Sequence, residues 1–184
     1  MRKACVRSMA LGVVWAVWLA MGCSGALKPT NAKLTAGLNS YFADHSECLF
    51  PQGMRFPYEV TPGKGSKAEE KKMDALKAAG LLNELKDLTL HVERYSLNAQ
   101  GERVAPRFCY GHRVVTSVDG FTPPVKQGNL METTVTFHAR MRDVPVWAKT
   151  DELKAAFPEL AANLSAPQQG QMVMATAGVG WSVR

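Results

Sequence analysis

The feature that most limits what this chain can fold into is the alternation of side chains over residues 130–144. Thr133, Val135, Phe137, Ala139 and Met141 fall on one side of an extended chain, and Glu132, Thr134, Thr136, His138, Arg140 and Arg142 on the other. A strand buried between helices would be apolar on both faces. One dry face and one wet face instead predict an antiparallel sheet with a solvated surface.

The flanking sequence supplies helices and shorter strands. Leu34, Leu38, Tyr41, Phe42, His45, Cys48 and Leu49 recur at three- and four-residue steps behind a cap at Thr30 or Asn31, and Pro51 and Gly53 close that helix. Residues 55–60, interrupted by Pro57, read as an extended edge. After the turn-rich stretch 61–65, Ser66 and Glu69 have capping-box spacing for a second helix with Met73, Leu76 and Ala79 on one face and Gly80 as its stop. Residues 88–97 read as a strand, and Asn98-Ala99-Gln100-Gly101 as a turn folding it onto 102–109. Val114, Val115 and Val118 mark another strand, broken at Asp119-Gly120 and Pro123-Pro124. Thr150 caps a short helix through Leu153 and Phe157, Pro158 opens the next turn with Leu160 and Leu164, and 171–183 forms a last strand. This order predicts an α+β domain, with helices packed on one side of a mainly antiparallel sheet.

The amino terminus predicts where the chain works. Arg2, Lys3 and Arg7 precede an acid-free apolar run over residues 9–22, which is 14 residues long. That is the layout of a signal peptide, and it is shorter than the roughly 18 residues a spanning helix needs. The run ends in Leu19-Ala20-Met21-Gly22-Cys23-Ser24. This ending resembles the lipobox of bacterial lipoproteins, with the leucine four places before the cysteine instead of three. The resemblance implies removal of residues 1–22 and a lipid on Cys23. The small, polar, proline-bearing stretch that follows then reads as a tether over 23–31, and the remaining length as a single α+β domain over 32–184. The lipobox resemblance also implies an envelope location anchored through that lipid; Ser24 after the cysteine is similar to lipoproteins sent to the outer membrane, facing the periplasm.

Export changes how the composition reads. The formal charge is +6 over 184 residues, and losing Arg2, Lys3 and Arg7 leaves 6 − 3 = +3, an ordinary surface with no run of five or six like charges. Of four cysteines, Cys5 leaves with the signal and Cys23 is the lipid acceptor, so Cys48 and Cys109 remain as one pair in an oxidising compartment. They are expected to be bridged. A competing reading uses the same residues, since His45 and His112 each stand three places from a cysteine: two thiolates with two imidazoles could hold zinc, or a free Cys48 thiol with His45 as its base could serve a thiol-dependent reaction.

Ala78-Ala79-Gly80-Leu81-Leu82 followed by residues 92–101 resembles the helix-to-wing part of winged-helix DNA-binding domains. The basic recognition helix of that family is missing, because Lys67, Lys71, Lys72 and Lys77 are offset by Glu69, Glu70 and Asp74. The stretch is therefore expected to pack as a helix against a hairpin, with no nucleic-acid partner. No nucleophile elbow, zinc-protease motif or phosphate loop occurs. The chain is expected to need no cofactor and to have a non-enzymatic binding or accessory role with an envelope partner, using the wet sheet face or the segment 122–129. Trp147 and Trp181 are expected to be core or sheet-edge residues.

Overall fold

The computed structural model describes residues 28–63 and 65–184, so the signal segment, Cys23 and most of the tether lie outside the described residues. The fold is α+β, with its strands divided between two antiparallel sheets.

The larger sheet contains β4 (His112–Phe121), β5 (Val125–Gln127), β6 (Leu130–Arg142), β7 (Gln168–Thr176) and β8 (Ser182–Val183), in the order β4-β6-β7-β8 with β5 also paired to β6. The alternation along β6 does what its period requires: Thr133, Val135, Phe137 and Ala139 are buried, while the intervening residues are half-exposed or exposed. Helix α1 (Asn31–Asp44) covers the dry face, bringing Leu34, Leu38 and Phe42 onto Val115, Val135, Phe137, Ala139, Met174 and Trp181. Thr30 caps α1, its side chain accepting from Lys33 N at 3.3 Å.

The smaller sheet contains β1 (Tyr58–Val60), β2 (Leu82–Asp87) and β3 (Val92–Leu97), in the order β1-β3-β2. A second apolar cluster lies on it, joining Met73 and Leu76 of α2 (Lys67–Ala78) to Tyr95 and Phe108, and to Leu153 of α4 (Asp151–Ala156) and Leu160 of α5 (Pro158–Ser165). A 3-10 turn at Val146–Lys149 leads into α4, and Thr150 Oγ1 accepts from Leu153 N at 3.4 Å.

Several local expectations are corrected. Helix α1 stops at Asp44 instead of running on through Cys48 and Leu49, because that stretch pairs with a distant one: Glu47 N donates to Gly111 O, Tyr110 N to Glu47 O, and Leu49 N to Phe108 O. The hairpin is β2–β3 with its tip at 88–91, and Asn98 begins no hairpin turn. Its side chain instead accepts from Gln100 N and Gly101 N, both at 3.0 Å, and caps α3 (Ala99–Val104). Ser66 makes no capping bond; it bonds to Glu70 rather than answering Glu69. Strand β4 continues through Asp119-Gly120 by two register shifts against β6, and the last strand divides into β7 and β8.

Candidate functional site

Cys48 and Cys109 are joined by a disulfide that closes a sequence separation of 61 residues, across the antiparallel pairing that ends α1. The bridge takes both sulfurs that the zinc reading required. The imidazoles have partners of their own: His45 Nδ1 lies 2.7 Å from Tyr41 O with its ring stacked on Tyr41, and His112 Nδ1 lies 3.6 Å from Asp143 Oδ2. Among the described residues, no group of three or more His, Cys, Asp or Glu is placed to hold a metal ion. Polar contacts extend the staple toward α5. Arg113 Nε lies 2.8 Å from Glu47 Oε1, and Asn163 Nδ2 donates to Tyr110 Oη at 2.8 Å. Burial pushes the Tyr110 phenol above its ordinary value.

The stretch that resembles a helix and wing is α2 followed by the β2–β3 hairpin, and several of its charges pair with one another at the surface. Lys77 Nζ lies 2.6 Å from Glu84 Oε2 and 3.1 Å from Asp74 Oδ1, while Lys86 Nζ lies 2.8 Å from Glu93 Oε1. The Lys77 hydrogen bond holds the Glu84 carboxyl below the usual range despite an opposing effect of burial. Tyr95 is fully buried, its hydroxyl 3.0 Å from Glu93 Oε2, and burial followed by that carboxylate raises its pKa strongly. The Lys77–Glu84 pair binds helix to hairpin, together with the Tyr95 hydroxyl, which donates to Asp74 Oδ1 at 3.3 Å. The hairpin exposes Leu85, Leu88 and Leu90.

The wet face of the larger sheet carries the candidate site. Registers Ser117↔His138, Gly120↔Thr136, Thr136↔Gln171 and His138↔Gln169 set these side chains side by side on three strands. His138 Nδ1 lies 2.8 Å from Asp119 Oδ2, and Ser117 Oγ donates to Asp119 Oδ1 at 3.1 Å. The bond to His138 holds the Asp119 carboxyl below its ordinary range, with Ser117 and Gln169 adding to the effect. The three residue types are those of a hydrolytic triad, but their connection differs. Ser117 donates its hydrogen bond to the Asp119 carboxylate and not to the His138 imidazole, so the serine-to-histidine contact of such a triad is not made. What remains is a flat array of donors and acceptors spaced at the roughly 4.8 Å interval of neighbouring strands. Asp119 had no signal in the sequence as a site residue, because only the register shift of β4 turns it toward His138.

The segment 122–129 is not a free loop. Thr133 Oγ1 donates to Thr122 O at 2.6 Å, and Val125–Gln127 pair with Leu130–Glu132 of β6. Trp181 is a core residue at 4% exposure, and Trp147 packs half-buried against the smaller sheet's cluster. Among the described residues no helix is long and apolar enough to cross a membrane. The chain matches no family model, no curated protein and no solved structure.

Proposed function

We propose that this chain is an exported protein of the bacterial envelope, anchored through a lipid on Cys23 and facing the periplasm, with a non-enzymatic binding role on the wet face of its larger sheet. The observation that carries the reading is the Cys48–Cys109 disulfide, because such bridges persist in oxidising compartments and are reduced in the cytosol. The resemblance of residues 19–24 to a lipobox supports the anchor, and Ser24 supports delivery to the outer membrane. The array of Ser117, Thr136, His138, Gln169 and Gln171 supports recognition by hydrogen bonding, with its polar groups set out on a rigid sheet.

Labelled palmitate and membrane fractionation test the anchor. Incorporation into the wild type but not into Cys23→Ser is the expected result, and unlabelled, soluble wild-type protein overturns it. The binding face is tested by crosslinking in intact envelopes with Thr136→Arg/Gln171→Arg. Loss of a crosslink that the wild type forms supports the face, and an unchanged crosslink pattern places the contact elsewhere.

A further inference from the structure

A basic cleft opens where β7 parts from β6. Pairing between these strands ends at Ala139↔Gln168, and Pro167, which has no N–H to add to the ladder, starts the departure. Beyond that point β6 continues alone on this side as Arg140, Met141 and Arg142, and α5 and the 3-10 turn close round the gap to leave a cleft of about 610 Å³. The volume is that of a small-molecule site.

The charges lining the cleft are unbalanced. Arg140, Arg142, Lys149 and Lys154 stand against the single acid Asp143, which gives 4 − 1 = +3. That acid lies 3.6 Å from His112 on β4. Lys154 is paired with Asp151 at 3.0 Å, whereas Arg140, Arg142 and Lys149 have no carboxylate partner among the described residues. Three separate elements thus bring cations to one concavity, where their mutual repulsion favours a bound anion. Arg140 and Arg142 are two apart on one strand, so they share a face with backbones roughly 7 Å apart, and each guanidinium offers a planar fork to paired oxygens. Lys149 and Lys154, from the segments that follow β6, line the same cleft as point charges. Met141, Val144 and Leu164 add an apolar wall suited to the carbon skeleton of an ester.

We infer that this cleft is a binding site for a phosphate-bearing anion, with Arg140 and Arg142 gripping the phosphate oxygens and Lys149 and Lys154 completing the charge. The site does not depend on the envelope reading, since its geometry acts on phosphate in any compartment. The phosphate could come from a free ester or from a lipid headgroup.

Calorimetric titration of the full chain in neutral detergent distinguishes the sources, with inorganic pyrophosphate in one arm, dihexanoyl phosphatidylglycerol in a second and zwitterionic dihexanoyl phosphatidylcholine in a third. Saturable binding of pyrophosphate, of phosphatidylglycerol or of both is expected, with phosphatidylcholine silent. Arg140→Gln/Arg142→Gln should weaken binding by about tenfold or more, as loss of bidentate charge-assisted bonds predicts. Lys149→Gln/Lys154→Gln, outside β6, should weaken it as well, which keeps the test open if the arginine variant fails to fold. Lys71→Gln/Lys126→Gln removes the same charge elsewhere and should change affinity by less than about twofold, the scale of screened surface charges. No saturable binding of either phosphate compound, equal weakening by all three double variants, or tight binding of a single-stranded oligonucleotide that pyrophosphate fails to displace would overturn the inference.

Discussion

Replacing Gly37 with alanine should lower stability, against the rule that alanine in a helix is better than glycine. Gly37 lies in α1 where the helix crosses the end of the larger sheet, and a Cβ there would sit 2.0 Å from the Trp181 carbonyl oxygen, 2.6 Å from the Met174 methyl and 3.0 Å from the Trp181 carbonyl carbon. The Met174 methyl can swing aside. The Trp181 carbonyl cannot, since it is backbone next to a side chain buried to 4% exposure. Restoring a contact of about 3 Å requires α1 to shift by about 1 Å, in an interior packed as densely as a crystal. Such overpacking costs about 3 kcal/mol, the upper part of its usual range, because backbone must move. The gain in helix propensity returns about 1 kcal/mol, leaving a net loss of about 2 kcal/mol. For a domain of this size the melting temperature should fall by about 4–8 °C, read by circular dichroism. Ala36→Gly at the exposed neighbouring position is the control and should cost about 1 kcal/mol by propensity alone. Opposite swaps at adjacent positions then both destabilise. A melting temperature for Gly37→Ala at or above the wild type refutes the close approach of α1 to Trp181.

Three further outcomes are expected. Cys48→Ala/Cys109→Ala should lose about 4 kcal/mol in urea unfolding, the chain-entropy value for a loop of 61 residues, and a loss under about 1 kcal/mol would show that backbone pairing alone holds the two segments. Asp119 is held below its ordinary value by His138, so its contribution is complete above the unfolded-state pKa of about 3.9 and disappears as pH falls through the lower folded value. The lead of the wild type over Asp119→Asn in melting temperature should therefore shrink below about pH 4, and a lead that widens on acidification contradicts the pairing. Asn98→Ala should cost about 1 kcal/mol or more through its lost cap. Asn98→Asp keeps the capping oxygen but loses the Nδ2 donor to Gly80 O at 2.9 Å, and should fall between Asn98→Ala and the wild type in thermal unfolding.

Where the chain was legible, a local period and a tertiary demand agreed. Residues 130–142 alternate because one face of β6 receives α1 and the other meets solvent, so period alone assigns their sides. Thr150 and Pro158 were legible for a similar reason, since a cap and a first-turn proline act within their own helix. Misreadings arose where a local pattern had a distant competitor. Ser66 and Glu69 have capping spacing, yet Ser66 bonds Glu70. Cys48 continues the helical spacing of α1, yet the backbone of 47–49 is claimed by 108–111.

The two candidate surfaces differ in the same way. On the wet sheet face, Thr136 and His138 could be assigned to one side of β6 from spacing, whereas Asp119 joins them only through a register shift that no residue type announces. In the basic cleft, Arg140 and Arg142 share a face by strand period, but Lys149 and Lys154 come from segments that follow β6 and fold back across its end. Half of each surface is therefore written in a strand and half in the topology. Variants at the strand half and at the returning half should thus act on the same ligand while sharing no local structure. For the cleft, coupling between Arg142→Gln and Lys149→Gln in a double-mutant cycle on pyrophosphate affinity is the corresponding expectation, because both cations would face one anion. Strict additivity would mean that the two halves do not meet on a common ligand.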